Sequence, residues 1–210
     1  LDKDGEAAED TAQAIEAADG KACSYAMDVT DPAGTGRALD HVEDILGAVS
    51  GLVNCAGIPG KTALKGAEVD LEDFDLVHDI NVRGALIVSQ AVLPGMLTRG
   101  YGRLLHVASI SGKEGNAGML AYSTSKAALS ALTREMAHDF GPLGVRVNSI
   151  APGEIETSIL SPGTDKIVEK VPMKRMGQTY EVADVIYFLC SQQSSYVNGT
   201  EIEINGGQHV

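Results

Sequence analysis

The sequence predicts an α/β fold, a doubly wound parallel sheet within a single domain. Short runs of β-branched and apolar residues alternate with helical stretches of a dozen residues or more. This alternation is typical of parallel strands joined by crossover helices. The chain has 210 residues, 44% of them hydrophobic, which is enough for one sizeable core. No second domain is required, and neither an internal repeat nor a low-complexity linker divides the chain.

Capping and breaking residues support the boundaries of these elements. Asp31 followed by Pro32 predicts a helix start, because an aspartate caps the first free N–H groups and proline fits the first turn. We expect the pair Pro94–Gly95 to perturb the end of the longest helix, since proline removes a backbone donor. The predicted helices are 4–18, 32–48, 70–98, 121–140 and 180–191, and the predicted strands are 21–27, 50–54, 102–109, 145–151 and 200–204.

Composition argues against several classes of function. A net charge of −13 disfavours nucleic acid and anionic membrane surfaces, both of which attract basic patches. Three widely spaced cysteines form neither a C-x-x-C pair nor a disulfide framework, which fits a reducing cytoplasm. The five histidines show no zinc-binding spacing, and no apolar run or signal peptide suggests membrane insertion or export. We therefore expect a cytoplasmic protein with no metal, nucleic-acid or membrane partner.

Three residues in the stretch 107–126 are candidates for acid–base chemistry. Tyr122 and Lys126 are four apart, so a helix places both side chains on one face. The ammonium beside the phenol would favour the ionised form and lower a pKa that is ordinarily about 10. Ser109 follows an apolar run and would lie at the carboxyl end of a strand, where open α/β sheets bind ligands. The tyrosine–lysine spacing alone would equally suit a solvated helix face.

Further motifs accompany these residues: VNCAG at 53–57, INVRG at 80–84, RVNSIAPG at 146–153 and INGG at 204–207. Together, and in this order from Asp28 to Gly207, they resemble the short-chain dehydrogenase/reductase family. The resemblance implies a Rossmann-like fold, a nicotinamide dinucleotide cofactor, a small-molecule substrate and a homotetramer. The family's opening strand, glycine-rich turn and helix have no counterpart here. We expect one strand–helix–strand unit to be absent from the given chain. Either the protein in solution carries an N-terminal segment before Leu1, or this chain is a non-functional fragment.

The resemblance also assigns roles to residues. Tyr122 exchanges a proton with the substrate oxygen, Ser109 orients that oxygen, Lys126 lowers the tyrosine pKa and reaches the nicotinamide ribose, and Asn81 anchors a water relay to the lysine. The implied catalytic residues are thus Asn81, Ser109, Tyr122 and Lys126. The implied cofactor-binding residues are Asp28, Val29, Asn54, Ala56, Gly57, Tyr122, Lys126, Pro152, Gly153, Ile155 and Thr157.

The expected activity is interconversion of a secondary alcohol and a ketone. NAD is the expected cofactor and NADP the alternative, since Leu1 stands where phosphate-binding relatives often carry arginine. Segment 158–175 matches the family's mobile lid, with a solvated flap as the alternative. Lys113, Glu114 and Glu154 near the same opening predict a polar rim suited to a polyol or sugar.

Other functions stay open at this point. A non-catalytic or truncated relative could retain only an oligomeric binding role, and a 3-oxoacyl thioester reductase shares the same motifs. A serine hydrolase is disfavoured because ASISG lacks the glycine two residues before the nucleophile. Surplus apolar positions on ALIVSQAVLPGML and AALSALTREM favour pairing of the helices 70–98 and 121–140 across twofold axes, and the C-terminal EIEI strand and GGQHV tail could serve a second interface.

Overall fold

A parallel sheet forms the centre of the fold in the computed structural model, which describes residues 1–157 and 168–209. Its strands are β1 (Gly51–Asn54), β2 (Gly102–Val107), β3 (Val145–Pro152) and β4 (Glu201–Ile204). They lie side by side in chain order, β1-β2-β3-β4, and every neighbouring pair is parallel. The carboxyl ends of all four strands therefore meet at one edge, which is where the chemistry-bearing motifs of the sequence follow them.

Helices connect and cover the strands. Within the described residues they are α1 (Gly5–Ala17), α2 (Pro32–Leu46), α3 (Leu71–His78), α4 (Ala85–Arg99), α5 (Ser111–Glu114), α6 (Leu120–Phe140) and α7 (Thr179–Cys190), with 3-10 turns at Gly66–Glu68, Gly141–Leu143 and Gln192–Ser194. The predicted cap is confirmed, because the Asp31 carboxylate accepts a hydrogen bond from Ala33 N at 3.0 Å and Pro32 occupies the first turn. Asp4 and Asp70 cap α1 and α3 in the same way.

Two apolar clusters lie on opposite faces of the sheet, so the fold has three layers. Leu104, Val145 and Val147 pack with Met96 of α4 and Met136 of α6 on one face. Leu105 and Ile150 pack with Leu189 of α7 on the other. Neighbouring residues of one strand point to opposite faces, and both faces are covered, as in a doubly wound sheet. The predicted fold class is confirmed.

The long helix predicted over 70–98 consists of α3, a π-helical turn at Asp79–Gly84 and α4. Pro94 lies inside α4, which continues to Arg99, so the expected perturbation by Pro94–Gly95 does not end the helix. The run Leu71–Arg99 is long and apolar enough to cross a membrane by length and composition, yet half of its most apolar window is buried. Such burial is what a core helix shows, and Val88, Val92 and Leu93 pack inside the fold.

The predicted strand 21–27 is wrong. Only Ala26 pairs, in an isolated parallel bridge with Asp2, and Met27 N donates to Asp2 O at 2.8 Å. A strand needs a run of ladder partners, and among the described residues the segment finds one short stretch at 1–3 to pair with. The other strands and helices were predicted to within three residues at each end.

Candidate active site

Ser109, Tyr122 and Lys126 come together at the carboxyl edge of the sheet. Ser109 lies two residues beyond β2, and Tyr122 and Lys126 lie on the first two turns of α6. Helix α5, which follows Ser109, packs on α6, and Gly112 of α5 lies at this contact. A Cβ there would lie 2.7 Å from Ala127 N and 2.9 Å from the Lys126 carbonyl carbon, so only glycine allows this approach. Sequence reasoning missed Gly112; the signal was a glycine three residues after the candidate serine.

The half-buried phenol of Tyr122 interacts with Ser109 on one side and a carboxylate on the other. Burial raises its pKa, the nearby Ser109 hydroxyl lowers it, and the charge of Glu154 raises it further; the net shift is upward. The expected lowering by Lys126 is therefore not found. The Lys126 ammonium lies 5.6 Å from the centre of the tyrosine ring and does not dominate the environment of the hydroxyl. In this arrangement Tyr122 holds its proton at neutral pH.

Lys126 is a buried cation with a fixed position. Its side chain is 4% exposed, and its Nζ donates to the carbonyl oxygen of Val107 at 2.7 Å. Burial lowers the pKa of Lys126 from 10.5 to about 8, since an ammonium away from water loses solvation. The Lys126 amine therefore changes its charge close to physiological pH. It lies one helical turn after Tyr122 on α6.

Asn81 holds the site together through its side chain. It is fully buried in the π-helical turn, where its Oδ1 accepts from Ile58 N at 2.8 Å. Its Nδ2 donates to Ile58 O at 3.0 Å and to Ser125 Oγ at 2.9 Å. These bonds tie the loop after β1 to α6, one residue before Lys126. Ser125 was not predicted; its place beside the lysine in YSTSK was the available signal.

The turn after β1 carries Asn54, Ala56 and Gly57, three of the residues predicted to bind the cofactor. Asn54 is buried, and its Oδ1 accepts from Ala56 N at 3.3 Å, while its Nδ2 has no partner among the described residues. A Cβ on Gly57 would lie 3.2 Å from Asn81 Oδ1 and 3.3 Å from Lys126 Nζ. An unpaired amide donor and a bare backbone beside the lysine form a cradle that fits the ribose end of a dinucleotide.

Asp28 and Val29 lie just before α2. The Asp28 carboxylate accepts from Thr30 N at 2.9 Å and from Thr30 Oγ1 at 2.7 Å, which is the turn geometry of an aspartate. These hydrogen bonds lower the pKa of Asp28. Val29 packs against the π-helical turn, since a Cβ on Gly84 would lie 2.7 Å from its Cγ2. The predicted adenine contact would have to share the carboxylate with Thr30.

The end of β3 and the segment after it carry four of the predicted cofactor-binding residues, Pro152, Gly153, Ile155 and Thr157. Pro152 closes β3, Gly153 N donates to Ile204 O at 2.9 Å, and Ile155 forms a parallel bridge with Gly177. Thr157 is exposed, and the described part of the chain stops there and resumes at residue 168. Most of the predicted lid, including Pro162, Gly163, Asp165 and Lys166, lies outside the described residues; in the remainder, 168–175, Lys174 Nζ donates to Glu169 O at 2.8 Å.

The predicted polar rim keeps two of its three members. Lys113 turns away and pairs with Glu203 at 2.6 Å and with Glu201 at 3.2 Å. Glu154 and Glu114 remain near each other: burial raises the pKa of Glu154, and the charge of Glu114 raises it further. The rim is therefore acidic where the sequence predicted mixed charge.

His106 lies within β2. It is fully buried, and both ring nitrogens lack partners within the described residues. Burial lowers its pKa to about 4, and the charge of Lys126 acts in the same direction, so the ring is neutral at physiological pH. Asn54 and His106 are neighbours in the sheet register. Within the described residues no cluster of three metal-ligating side chains is found.

Comparison with known proteins gives consistent matches over nearly the whole chain. A family model described as enoyl-(acyl carrier protein) reductase matches residues 1–209. The chain is 40% identical to protein FixR of Bradyrhizobium diazoefficiens over 195 residues, which cover 89% of this chain and 69% of that protein. It is 35% identical to acetoacetyl-CoA reductase of Cupriavidus necator, over 87% of this chain and 75% of that enzyme. The crystal structure of NAD⁺-bound xylitol dehydrogenase aligns with a TM-score of 0.90 and 33% identity, covering 96% of this chain and 85% of the other.

Proposed function

Because the chain belongs to the short-chain dehydrogenase/reductase family, whose oxidoreductases act on CH–OH groups, we propose that it interconverts a small hydroxylated secondary alcohol and its ketone with NAD. The observation that carries the proposal is the convergence of Ser109, Tyr122 and Lys126 beside the Asn54–Gly57 turn. When bound, the nicotinamide ring accepts or returns a hydride at the carbinol carbon.

The protein supplies positioning and proton transfer. Tyr122 gives its proton to the carbonyl oxygen during reduction and takes it back during oxidation. The Ser109 hydroxyl, in contact with the phenol, orients that oxygen and stabilises its developing charge. Lys126 is held by the Val107 carbonyl 5.6 Å from the tyrosine ring, and its amine serves the ribose hydroxyls. The raised pKa of Tyr122 keeps the acid form available at neutral pH, which suits ketone reduction.

Two considerations support NAD and a polyol-like substrate. Leu1 brings no positive charge to the position where relatives that bind a 2′-phosphate often carry arginine. Glu154 and Glu114 provide acceptors for hydroxyl groups at the opening, and the aligned xylitol dehydrogenase is described as NAD⁺-bound. The test is a panel of polyols, sugars, simple secondary alcohols and acyl thioesters assayed with NAD and with NADP. NAD-dependent turnover of a hydroxylated compound supports the proposal, and turnover of none of them with either cofactor refutes it.

A 3-oxoacyl thioester reductase is the second candidate, favoured by the 35% identity to acetoacetyl-CoA reductase. A 3-oxoacyl group presents a carbonyl oxygen, not a hydroxyl donor, on the side of the reacting ketone. That oxygen would face the carboxylates of the acidic rim, and two acceptors repel each other. NADPH-dependent reduction of acetoacetyl-CoA at a rate far above that of any polyol would select this candidate.

A homotetramer is the proposed assembly. Some of the apolar side chains that were predicted to pair between protomers are buried within one protomer, among them Ala85, Val88 and Val92. An apolar groove of about 720 Å³ remains between α3, the π-helical turn and α6, with Leu76 half exposed at its edge. Pairing of this face with its copy across a twofold axis would cover the groove. Light scattering at micromolar concentration would show four protomers; a monomer would contradict the assembly.

A further inference from the structure

The backbone of Glu154 is pinned beside the catalytic tyrosine. Gly153 N on one side donates to Ile204 O at 2.9 Å, and Glu154 O accepts from Gly177 N at 2.9 Å. The return bond from Glu156 N to Gly177 O, at 2.8 Å, closes a short parallel pairing. A residue held by bonds on both sides presents its side chain in a defined place. Glu154 therefore differs from a charge on a freely moving loop.

The Glu154 carboxylate has no hydrogen bond or ion pair with any residue the structure describes, although the residue is only partly exposed. Among the described residues, two nearby cations are already engaged. Arg175 donates from both terminal nitrogens to the two oxygens of Glu181, each at 2.7 Å. Lys113 pairs with Glu203 at 2.6 Å. A partly buried carboxylate without a partner is costly unless a ligand supplies one.

Glu154 borders both a surface hollow and the edge of the sheet that carries Ser109 and Tyr122. It lines a hollow of about 300 Å³ together with Met173, Gly177 and Asn205. It also lies two residues after Pro152, whose carbonyl oxygen accepts from Ile110 N at 3.2 Å, so Glu154 and Ser109 follow neighbouring strands at the same edge of the sheet. Its charge acts on the Tyr122 phenol at that edge. A group bound against Glu154 would therefore lie near a carbinol placed at Ser109 and Tyr122.

We propose that Glu154 is the specificity-determining residue of the site, and that its carboxylate accepts a hydrogen bond from a donor on the carbon next to the reacting carbinol. The inference rests on the proposed dehydrogenase function. The shared chemistry of the substrate class is a hydroxyl or ammonium donor vicinal to the secondary alcohol. An ammonium would also neutralise the carboxylate and so relieve its effect on Tyr122.

The test compares kcat/KM for 2-butanol, 2,3-butanediol and 3-amino-2-butanol, which differ only in the vicinal group. Wild-type enzyme should favour at least one donor-bearing compound over 2-butanol by roughly 10- to 100-fold, the value of a hydrogen bond to a charged group. Glu154→Leu should abolish that preference for both. Glu154→Gln keeps an acceptor oxygen, so it should spare the diol but lose any preference for the amino alcohol, which separates the two donor sources.

Glu156→Gln is the matched control, because it removes one charge two residues away from an exposed side chain that is bonded to Gln178. It should leave all three ratios unchanged. A second readout needs no turnover: the phenol of Tyr122 in Glu154→Gln, followed by ultraviolet titration against Tyr122→Phe, should ionise at lower pH than in wild type. Equal ratios in wild type and Glu154→Leu, with 2-butanol turned over, overturn the inference and leave the dehydrogenase intact. Turnover of no secondary alcohol by the wild type refutes the proposed function itself.

Discussion

Replacing the buried Lys126 should make the cofactor-free protein more stable at neutral pH. Burial lowers the pKa of Lys126 from 10.5 to about 8. Charging the amine in the fold therefore costs roughly 3 kcal/mol, since one pKa unit is worth about 1.4 kcal/mol. Methionine has a similar shape and carries no charge, but Lys126→Met loses the 2.7 Å bond to Val107 O. That loss costs about 1–2 kcal/mol. The net expectation at pH 7 is a variant about 1–2 kcal/mol more stable and inactive.

The sign of the pH dependence follows from the direction of the shift. The folded pKa of Lys126 lies below the unfolded value, so the penalty is fully present below pH 8 and is relieved as the pH rises from about 8 to 10.5. Wild type gains stability over that window relative to Lys126→Met, by about 1.4 kcal/mol per pH unit, so the order of the two should reverse around pH 9.

Urea unfolding of both proteins at pH 7 and pH 10, followed by circular dichroism, measures this difference. Lys113→Met is the control with the opposite sign. Burial opposes the charge of Lys113, but the carboxylates of Glu203 and Glu201 outweigh it and raise the pKa of Lys113, so its removal should destabilise the fold at pH 7. A Lys126→Met variant less stable than wild type at pH 7, or a difference that does not change with pH, would refute the reasoning.

Three further expectations concern the same site. Tyr122→Phe should lower kcat by at least about 100-fold, the usual value of general acid–base catalysis, with cofactor affinity within a few-fold by fluorescence titration; a rate above about one hundredth of wild type contradicts the assignment. Gly57→Ala should place a methyl group 3.3 Å from Lys126 Nζ and lower kcat by about tenfold or more. Gly36→Ala is its control, because Gly36 lies in α2 with nothing within 4 Å of a new Cβ. This second variant should raise the unfolding free energy by about 0.5–1 kcal/mol. Asn81→Ala removes three buried hydrogen bonds and should cost about 2–4 kcal/mol by urea unfolding; a cost below that of an exposed asparagine would show that the bonds are not formed in solution.

The sequence predicted the order of the elements, and it predicted that Tyr122 and Lys126 lie on one helix face, because both depend on local patterns. Apolar periodicity located the crossover helices, and the Tyr122–Lys126 spacing placed the two side chains on one face of α6. The pairing of strands was harder to predict from the sequence. The run 21–27 has the composition of a strand, yet its ladder depends on partners distant in sequence, and only Asp2 pairs with it.

Electrostatics at the site could not be predicted from spacing. The four-residue interval places Lys126 near Tyr122, but the Val107 carbonyl, on another element, takes the ammonium and fixes its direction. Lys113 likewise pairs with residues of β4, and Glu203 among them is 90 residues away from it in the chain. Burial by tertiary packing then sets the pKa values of Tyr122 and Lys126 in directions that the motif alone does not contain.

Direct transfer of deuterium from the carbinol carbon of a secondary alcohol to the nicotinamide ring tests the central claim most directly. The hydroxylated substrate found in the panel would be labelled at that carbon, incubated with NAD⁺ and the protein, and the nicotinamide product analysed by NMR. We predict one deuterium at ring carbon 4, on one face only, and none above background with Tyr122→Phe over the same time. Product without deuterium, or equal labelling by Tyr122→Phe, would contradict a hydride transfer coupled to proton exchange at Tyr122.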